Sequence, residues 1–370
     1  MSSHSRSRSS TLLAGVAGVA TVAAVASFTA APAAQGVARA GSHPFHVVRM
    51  VSDQAGQAPV TDPSLVNAWG LALSPTSPLW VSNNGTDTST LYSGATAPSS
   101  PPAKVPLTVS IPGGGAPTGV VFNPTTRFVI STHGKTGPAL FIFAGEHGSL
   151  TAWNKTGALT EAVPVAHTRN TVYKGLTMVT MRARPFLLAA NFGRGRIDVF
   201  NSHFARVRMP SAFQNRGIPA GYAPFNVASL GNRVYVSYAK QDPAKQDDVP
   251  GRGHGFVNVF TDNGHFQRSL LRRGVLDSPW GMAVAPTGFG GFAGRLLVGN
   301  FGNGRIHVVN QRTGHVVATL RNAAGNPISI DGLWGLLPGN GTAGGTSDVL
   351  FSAGPGGESH GLVGLLRAGS

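Results

Sequence analysis

The stretch Asn67-Ala-Trp-Gly-Leu-Ala-Leu73 is the strongest indication of the fold, because the chain repeats it as Ser278-Pro-Trp-Gly-Met-Ala-Val284 and as Asp331-Gly-Leu-Trp-Gly-Leu-Leu337. Each copy opens a short apolar strand with an aromatic residue and a glycine, and such recurrence is typical of stacked supersecondary units. With three weaker copies included, the phrase is centred on Gly70, Gly119, Gly175, Asn226, Gly281 and Gly335. These positions lie 49 to 56 residues apart, a spacing that predicts the blades of a β-propeller.

The second half of each repeat supports the same period. The segment Leu187-Leu-Ala-Ala-Asn-Phe-Gly-Arg-Gly-Arg-Ile-Asp-Val-Phe200 aligns without gaps with Leu296-Leu-Val-Gly-Asn-Phe-Gly-Asn-Gly-Arg-Ile-His-Val-Val309. Each repeat therefore predicts four strands, A to D, in which the aromatic-glycine phrase is strand A and the segment before the Asn-x-Gly turn is strand B. In the second repeat, the looser match Arg127–Gly134 is the predicted strand B.

The sixth repeat supplies only three strands. An unassigned run, His46-Val-Val-Arg-Met-Val51, precedes the first repeat and has the composition of a strand. We therefore predict an all-β, six-bladed β-propeller in which this N-terminal strand completes the last blade and removes an exposed sheet edge. The alternative is an open solenoid, which would need polar caps at both ends.

Residues 1–40 differ from the rest of the chain. Arg6 and Arg8 form a basic start, Leu12–Phe28 is an apolar run, and Ala31-Pro-Ala33 and Ala38-Arg-Ala40 have the small-x-small pattern of cleavage sites. This order predicts a secretory signal peptide, followed by a single propeller domain over residues 41–370. The alternative is an uncleaved anchor, for which the run is short. We expect the mature chain to have no membrane span and to be secreted or to lie in the cell envelope.

Composition limits the chemistry. The 370 residues include no cysteine, which excludes disulfides, thiolate nucleophiles and cysteine-ligated metals. The 29 Lys and Arg outnumber the 14 Asp and Glu, for a formal net charge of +15. A basic surface attracts anionic polymers and also keeps an exported protein soluble. We expect a monomer with no specific affinity for nucleic acid. The third repeat is the most basic, with Arg182, Arg184, Arg194, Arg196, Arg206, Arg208 and Arg216.

The chain resembles a family of exported bacterial NHL-type β-propellers. The resemblance extends from Val47 to Leu366 and implies a propeller fold and an envelope or extracellular location, but no reaction or ligand. Many members carry a PEP-CTERM sorting tail, and the segment Arg367-Ala-Gly-Ser370 does not match it. The runs that carry the resemblance include Asp62-Pro-Ser-Leu-Val-Asn-Ala-Trp-Gly-Leu-Ala72, Tyr222-Ala-Pro-Phe-Asn226, Asn326-Pro-Ile-Ser-Ile-Asp-Gly-Leu-Trp-Gly335 and Gly354-Pro-Gly-Gly-Glu-Ser-His-Gly361.

Candidate ligand-binding residues follow from the expected topology. In a propeller, the residues that open strand A lie beside those that end strand B, around one mouth of the channel. Aromatic rings and amides there suit a sugar, peptide or aromatic ligand. The candidates of this kind are Trp69, Asn83, Asn191, Tyr238, Trp280, Asn300 and Trp334. The alternative is structural, because tryptophan packs between blades and asparagine stabilises turns through local hydrogen bonds.

Two longer B–C connections, Tyr238–His254 and Gly354–His360, interrupt the repeat. Function often lies in such loops on a rigid scaffold. Glu358 and His360 complete the candidate ligand-binding set, and Asp247–Asp248 could meet them over the channel mouth. Carboxylates suit calcium, but the spacing matches no EF-hand or zinc signature. We therefore predict no cofactor and no transition metal, and we keep calcium at Asp247–Asp248 as a weak alternative.

These observations favour an exported β-propeller that acts as a binding or interaction module rather than an enzyme. Its expected partner is a small-molecule, glycan or peptide ligand, or an envelope polymer. The alternative is a metal-assisted lyase or hydrolase with its site in the channel. It is disfavoured because the chain has only 14 acidic residues, whereas a metal cage needs several converging carboxylates or imidazoles. No catalytic residue is assigned.

Overall fold

The computed structural model describes residues 44–113, 115–157, 159–214 and 216–369. The predicted signal peptide lies outside these residues. The described residues form twenty-seven strands and two 3₁₀ helices, Asn84–Thr86 and Gly290–Phe292. Neither helix has the length or apolar character that a membrane crossing requires.

The strands contain two to nine residues each. In chain order they are β1 (Phe45–Ser52), β2 (Val60–Thr61), β3 (Ala68–Ala72), β4 (Leu79–Asn83), β5 (Thr88–Gly94), β6 (Pro102–Ser110), β7 (Pro117–Phe122), β8 (Val129–Thr132), β9 (Lys135–Pro138), β10 (Phe141–Gly145), β11 (Ser149–Trp153), β12 (Val163–His167), β13 (Tyr173–Met181), β14 (Arg184–Asn191), β15 (Arg196–Phe200), β16 (Arg206–Val207), β17 (Tyr222–Leu230), β18 (Arg233–Lys240), β19 (Gly255–Phe260), β20 (Phe266–Arg272), β21 (Pro279–Val284), β22 (Leu296–Asn300), β23 (Ile306–Val309), β24 (Val316–Thr319), β25 (Leu333–Pro338), β26 (Val349–Ala353) and β27 (Leu362–Ala368).

The strands form six blades, which confirms the predicted six-bladed β-propeller. Blades 1 to 5 are β3-β4-β5-β6, β7-β10-β11-β12, β13-β14-β15-β16, β17-β18-β19-β20 and β21-β22-β23-β24. Blade 6 is β25-β26-β27-β1, with β2 added at its edge. In each blade the first strand, A, is innermost and the fourth, D, is outermost. The six A strands contact one another in a closed ring, from β3 through β7, β13, β17, β21 and β25 back to β3.

The N-terminal strand closes blade 6, as the sequence predicts. Strand β1 pairs antiparallel with β27, from Phe45 opposite Ala368 to Ser52 opposite Leu362. Phe45 also packs between blades, because its ring centroid lies 4.6 Å from that of Phe289 in blade 5. The two ends of the domain thus complete one sheet, and β27 has a hydrogen-bonded partner on both sides.

One strand prediction is wrong. Strand B of blade 2 is β10, whereas β8, which lies within the predicted segment Arg127–Gly134, pairs with β9 in a separate hairpin. The physical reason is burial: every residue of β10 is buried, whereas β8 is largely exposed. As a result, Glu146 and not His133 is the residue that directly follows strand B.

The aromatic-glycine phrase recurs because it builds the inner ring. A Cβ atom on Gly70 would collide with the carbonyl oxygen of Thr118 on the next A strand. A Cβ atom on Gly335 would lie 2.8 Å from the carbonyl oxygen of Trp69. Glycine therefore lets neighbouring A strands approach closely, and the residue before it occupies one end of the central channel.

Candidate functional site

We define the upper face of the propeller as the face that carries the B–C and D–A connections. Six residues open the A strands at this face, and all of them are buried, with 0% to 5% of their surface exposed. They are Trp69, Thr118, Lys174, Phe225, Trp280 and Trp334. The channel mouth at this face is therefore lined by side chains that contact one another rather than solvent.

Five aromatic side chains close the channel at this end. We call Trp69, Phe225, Trp280, Phe301 and Trp334 the aromatic plug. Trp334 stacks on Trp69 at 3.6 Å between ring centroids and on Phe301 at 4.0 Å, while Trp280 meets both tryptophans edge-on. Such contacts add about 0.5–1.5 kcal/mol per pair beyond the burial of area. The three tryptophans that the sequence offers as ligand contacts thus pack against each other.

Lys174 is the one charged residue among the A-strand openers, and its side chain is 2% exposed. Its ammonium group forms an ion pair with Glu146 of blade 2 and lies 2.7 Å from Oδ1 of Asp247 in blade 4. The same group lies 5.0 Å from the ring centroid of Trp69, in a cation–π contact. Two carboxylates and one aromatic face thus surround a single buried cation.

A chain of amides connects these carboxylates to Glu358 of blade 6. Asn84 Nδ2 donates to Glu146 Oε2 at 2.9 Å, and Asn67 Nδ2 donates to Asn84 Oδ1 at 3.2 Å. Asn67 Nδ2 also lies 2.6 Å from Glu358 Oε2. We call Lys174, Glu146, Asp247, Asp248 and Glu358 the lysine cluster. Its members come from blades 2, 3, 4 and 6.

Asn67 joins the lysine cluster to the aromatic plug. Its Oδ1 accepts hydrogen bonds from the indole nitrogens of Trp69 at 2.8 Å and Trp334 at 3.1 Å. Asn67 has φ 49° and Glu358 has φ 68°, both in the left-handed region. Asparagine tolerates this region, whereas glutamate seldom adopts it, so the loop of blade 6 holds Glu358 in a strained conformation.

The long B–C connection of blade 4 brings Asp247 to Lys174. The loop lies against blade 3, where Gln241 Nε2 donates to the carbonyl oxygen of Phe192 at 2.7 Å. It also folds on itself, since Asp242 N donates to the carbonyl oxygen of Asp247 at 2.8 Å. The carboxylate of Asp247 stays 71% exposed, so this part of the lysine cluster is accessible to a ligand.

Burial and charge shift the pKa values of the lysine cluster. Burial alone would lower the pKa of Lys174, but the carboxylates of Glu146 and Asp247 outweigh this and hold its pKa above the ordinary value. Burial raises the pKa of Asp248 to about 6, although Ser278 and Lys174 act in the opposite direction. Burial also raises the pKa of Glu358, despite its hydrogen bond from Asn67.

Each asparagine at the end of a B strand contacts strand C of its own blade, and Asn300 also donates to the carbonyl oxygen of Val275 on the connection from blade 4. Asn83 Nδ2 donates to Thr90 Oγ1 at 3.0 Å, and Asn191 Nδ2 donates to Asp198 Oδ2 at 2.7 Å. Asn300 Nδ2 lies 3.3 Å from His307 Nε2. In all three cases the partner is seven residues further along, on strand C. The three amides are fully buried and connect strands B and C, and Tyr238 is fully buried as well.

His360 lies apart from the lysine cluster. Its Nδ1 is 2.8 Å from Asp53 Oδ2, and its Nε2 is 3.0 Å from Gln54 Nε2. The imidazole therefore connects the blade 6 loop to the segment after β1. Within the described ranges, no three His, Asp or Glu side chains are grouped as metal ligands would be. Calcium binding at Asp247–Asp248 stays a prediction.

Below the aromatic plug, the A strands surround a recess of about 400 Å³. Trp280 and Asn226 lie at its closed end, while Pro124 and Thr125 of an A–B connection lie at the other end. The recess therefore faces the lower face, where the A–B and C–D connections lie. The plug separates it from the lysine cluster.

Of the lysine cluster, the sequence predicts Glu358 and Asp247–Asp248 as candidates but not Lys174 and Glu146, which form its centre. Lys174 stands where four of the other five repeats have an aromatic residue, and this substitution in the phrase was the available signal. Glu146 follows strand B of blade 2 as Asn84 follows strand B of blade 1. Because the predicted strand B of blade 2 was Arg127–Gly134 and not β10, the equivalence of Glu146 and Asn84 could not be recognised from the sequence.

Comparison with known proteins places the chain beside viral relatives. It is 33% identical over 331 residues to the uncharacterized protein L690 of Acanthamoeba polyphaga mimivirus, which covers 86% of this chain and 84% of that protein. It is 32% identical over 297 residues to the uncharacterized protein R648 of the same virus, which covers 78% of this chain and 72% of that protein. These relatives lend no support to the bacterial origin implied by the sequence resemblance.

Among solved structures, a streptogramin B lyase aligns with a TM-score of 0.47 and 10% identity, over 88% of this chain and 97% of the lyase. No protein-family model matches the chain. The family relationship rests on the viral relatives, because each shares at least 32% identity with this chain over more than two thirds of both proteins. The chain therefore belongs to the protein family that includes the uncharacterized proteins R648 and L690 of Acanthamoeba polyphaga mimivirus.

Proposed function

We propose that this protein is an exported β-propeller binding module that holds its ligand on the upper face, over the lysine cluster. One observation carries the proposal: loops from blades 2, 4 and 6 bring carboxylates to one buried lysine of blade 3. A rigid ring with convergent polar groups on one face is the usual architecture of a binding site on a propeller. Export rests on the predicted signal peptide.

The charge of the lysine cluster indicates a cationic ligand. Four of the 14 acidic residues of this basic chain lie in the cluster, whereas Lys174 is its single cation. Lys174 already pairs with Glu146 and Asp247, so Glu358 and Asp248 are left with less compensation. An amine or guanidinium on a small molecule, an amino sugar or a basic peptide would supply the missing positive charge.

Binding fits the chemistry of Lys174 better than covalent catalysis does. A lysine that attacks a carbonyl group must lose its proton, and enzymes lower the pKa of such lysines by removing compensating charge. Here the facing carboxylates hold the pKa of Lys174 above its ordinary value. The ammonium group is therefore a fixed cation that orders the surrounding loops.

A melting screen with paired compounds tests the proposal. Glucosamine is compared with N-acetylglucosamine, and lysine-containing tripeptides with their side-chain-acetylated counterparts. We expect the cationic member of a pair to raise the melting temperature, because a ligand that binds only the folded state stabilises it. Asp247→Asn should abolish the shift, whereas Glu161→Gln, an exposed acid outside the cluster, should leave it unchanged.

Two results would overturn the proposal. Equal shifts in melting temperature from the cationic and neutral compounds of each pair would show that the lysine cluster does not select the ligand. Stoichiometric zinc, manganese or iron in the purified protein, with a reaction that chelation abolishes, would favour a metal-assisted lyase or hydrolase instead.

A further inference from the structure

Blade 3 has the shortest D strand among the described residues. Its D strand, β16, contains two residues, whereas the D strands of the other blades contain four to nine. Strand β16 pairs only with Val199 and Phe200 of β15. The first three residues of β15, Arg196 to Asp198, therefore have no strand on their outer side within the described ranges. An uncovered edge of this kind can accept an additional strand.

A cleft of about 590 Å³ lies beside this uncovered edge. Arg196, Ile197 and Asp198 form one wall of the cleft, and Arg206, Arg208 and Met209 contribute to the other. Its volume lies within the range of small binding sites. The cleft thus offers room for an extended segment beside β15.

The cleft is strongly basic. The side chains of Arg196 and Arg206 are 50% and 44% exposed, and Arg208 is exposed without a hydrogen-bonded partner among the described residues. Asp198 is the single acid in the lining, and its side chain is 5% exposed. It already accepts hydrogen bonds from Arg196, Asn191 and Tyr173. A second copy of this basic chain would be repelled here, whereas an acidic segment would be attracted.

An adjoining cleft of about 700 Å³ extends the basic surface toward the lower face. It shares Val207, Met209, Pro210 and Ala212 with the first cleft and adds Arg182 and Arg184. Arg182 and Ala183 form the β13–β14 turn with φ 48° and 61°. Both are left-handed, a conformation that favours Asn-Gly. An exposed arginine therefore occupies a turn position that Asn-Gly would adopt with less strain.

We propose that the cleft beside β15 binds an acidic, extended peptide segment of a partner protein, which adds to blade 3 as an outer strand. Backbone hydrogen bonds to the uncovered edge of β15 would position the segment. Carboxylates would bind Arg196, Arg206 and Arg208, since guanidinium groups bind carboxylates in bidentate geometry. Apolar side chains would pack on Met209. A protein segment fits this combination of strand edge, arginine and apolar surface better than a nucleic acid or polysaccharide does.

A labelled twelve-residue peptide of alternating glutamate and valine tests the proposal by fluorescence anisotropy with the purified protein. We expect saturable binding that weakens with salt, and no binding of the matching lysine-valine peptide. Arg208→Gln should weaken binding roughly tenfold, the effect of losing a charge-assisted contact. Arg312→Gln is the matched control, because it removes an exposed arginine of blade 5 whose side chain has no hydrogen-bonded partner within the described ranges. A glutamate-valine peptide with alternate amides N-methylated should not bind, because it cannot pair as a strand.

Three results would overturn the inference. Equal losses of peptide affinity with Arg208→Gln and Arg312→Gln would mean that the peptide is held by non-specific charge attraction. Equal binding of the N-methylated peptide would exclude strand addition. Binding of heparin or a single-stranded oligonucleotide that depends on Arg208, without binding of the peptide, would assign the cleft to another class of polymer. None of these results bears on the upper face.

Discussion

The ammonium nitrogen of Lys174 lies 2.7 Å from the carboxylate oxygen Oδ1 of Asp247, although the two residues are 73 positions apart in the chain. Lys174 opens strand A of blade 3, and Asp247 lies in the B–C connection of blade 4. The ion pair therefore connects neighbouring blades across the upper face. With Glu146 on the other side of the ammonium group, it joins three consecutive blades through one side chain.

We expect Lys174→Met to destabilise the fold by about 2–4 kcal/mol, because it removes a buried cation and leaves the largely buried carboxylate of Glu146 without its ion-pair partner. Urea denaturation at neutral pH measures the change. The double variant Lys174→Met with Glu146→Gln should recover part of the loss. If the free energy of unfolding of Lys174→Met lay within about 0.5 kcal/mol of the parent, the usual range for surface changes, Lys174 would not be holding the three blades together.

The titration of Asp248 predicts a pH dependence. Burial raises its pKa from the usual 3.8 to about 6, so the folded protein binds this proton more tightly than the unfolded chain does. The contribution of Asp248 to stability is therefore present below pH 4 and is lost as the pH rises to 6. Asp248→Asn removes this titration, and its stability relative to the parent should rise across that interval by on the order of 2 kcal/mol.

The midpoints of urea denaturation of the parent and of Asp248→Asn at pH 4, 5, 6 and 7 measure the effect of Asp248 on stability. A difference between variant and parent that stays constant over this range would show that the folded pKa is unshifted. Glu161→Gln, which changes an exposed acid outside the lysine cluster, is measured beside them as the matched control variant.

Ring closure predicts that deletion of residues 41–52 is costly. The deletion removes β1 and leaves β27 with an exposed edge and Phe289 without the ring of Phe45. We expect a loss of several kcal/mol out of the roughly 5–15 kcal/mol typical of a domain, together with self-association. Thermal melting and sedimentation measure both effects. A truncated monomer that melts at the parent temperature would contradict closure by β1.

The mature chain is predicted to begin between Ala34 and His46. Because β1 starts at Phe45, we expect cleavage early in this interval, which leaves the closing strand whole. Mass spectrometry of the exported protein tests the site. A product that still contains Leu12–Phe28 would mean that the segment is an anchor and not a signal peptide.

The sequence was sufficient to predict the fold because the aromatic-glycine phrase recurs wherever two A strands must approach each other closely. Glycine at positions such as Gly70 and Gly335 permits close approach of the A strands, so the repeat persists where other residues vary. The closing strand could be predicted because blade 6 otherwise lacked its fourth strand. Blade 2 could not be traced correctly, because an apolar run at Arg127–Gly134 resembles strand B without being buried as one.

The lysine cluster could be predicted only in part. Trp69 and Asn191 are at the predicted mouth, but their side chains pack and bond within the protein. Residue type alone does not separate an aromatic ring that stacks on a neighbour from one that stacks on a ligand. The lysine cluster depends on loops that converge from separate blades. His360 lies in one of these loops, but its side chain contacts Asp53 and not the cluster. Such convergence requires the three-dimensional positions.

The lysine cluster is proposed to select a cationic ligand on the upper face. Isothermal titration of the best cationic compound from the melting screen into the Asp247→Asn, Glu358→Gln double variant tests it most directly. We expect the affinity to fall at least about tenfold, equivalent to 1.4 kcal/mol, with Glu161→Gln unchanged. Equal affinity in the double variant and the parent would show that these two carboxylates do not hold the ligand.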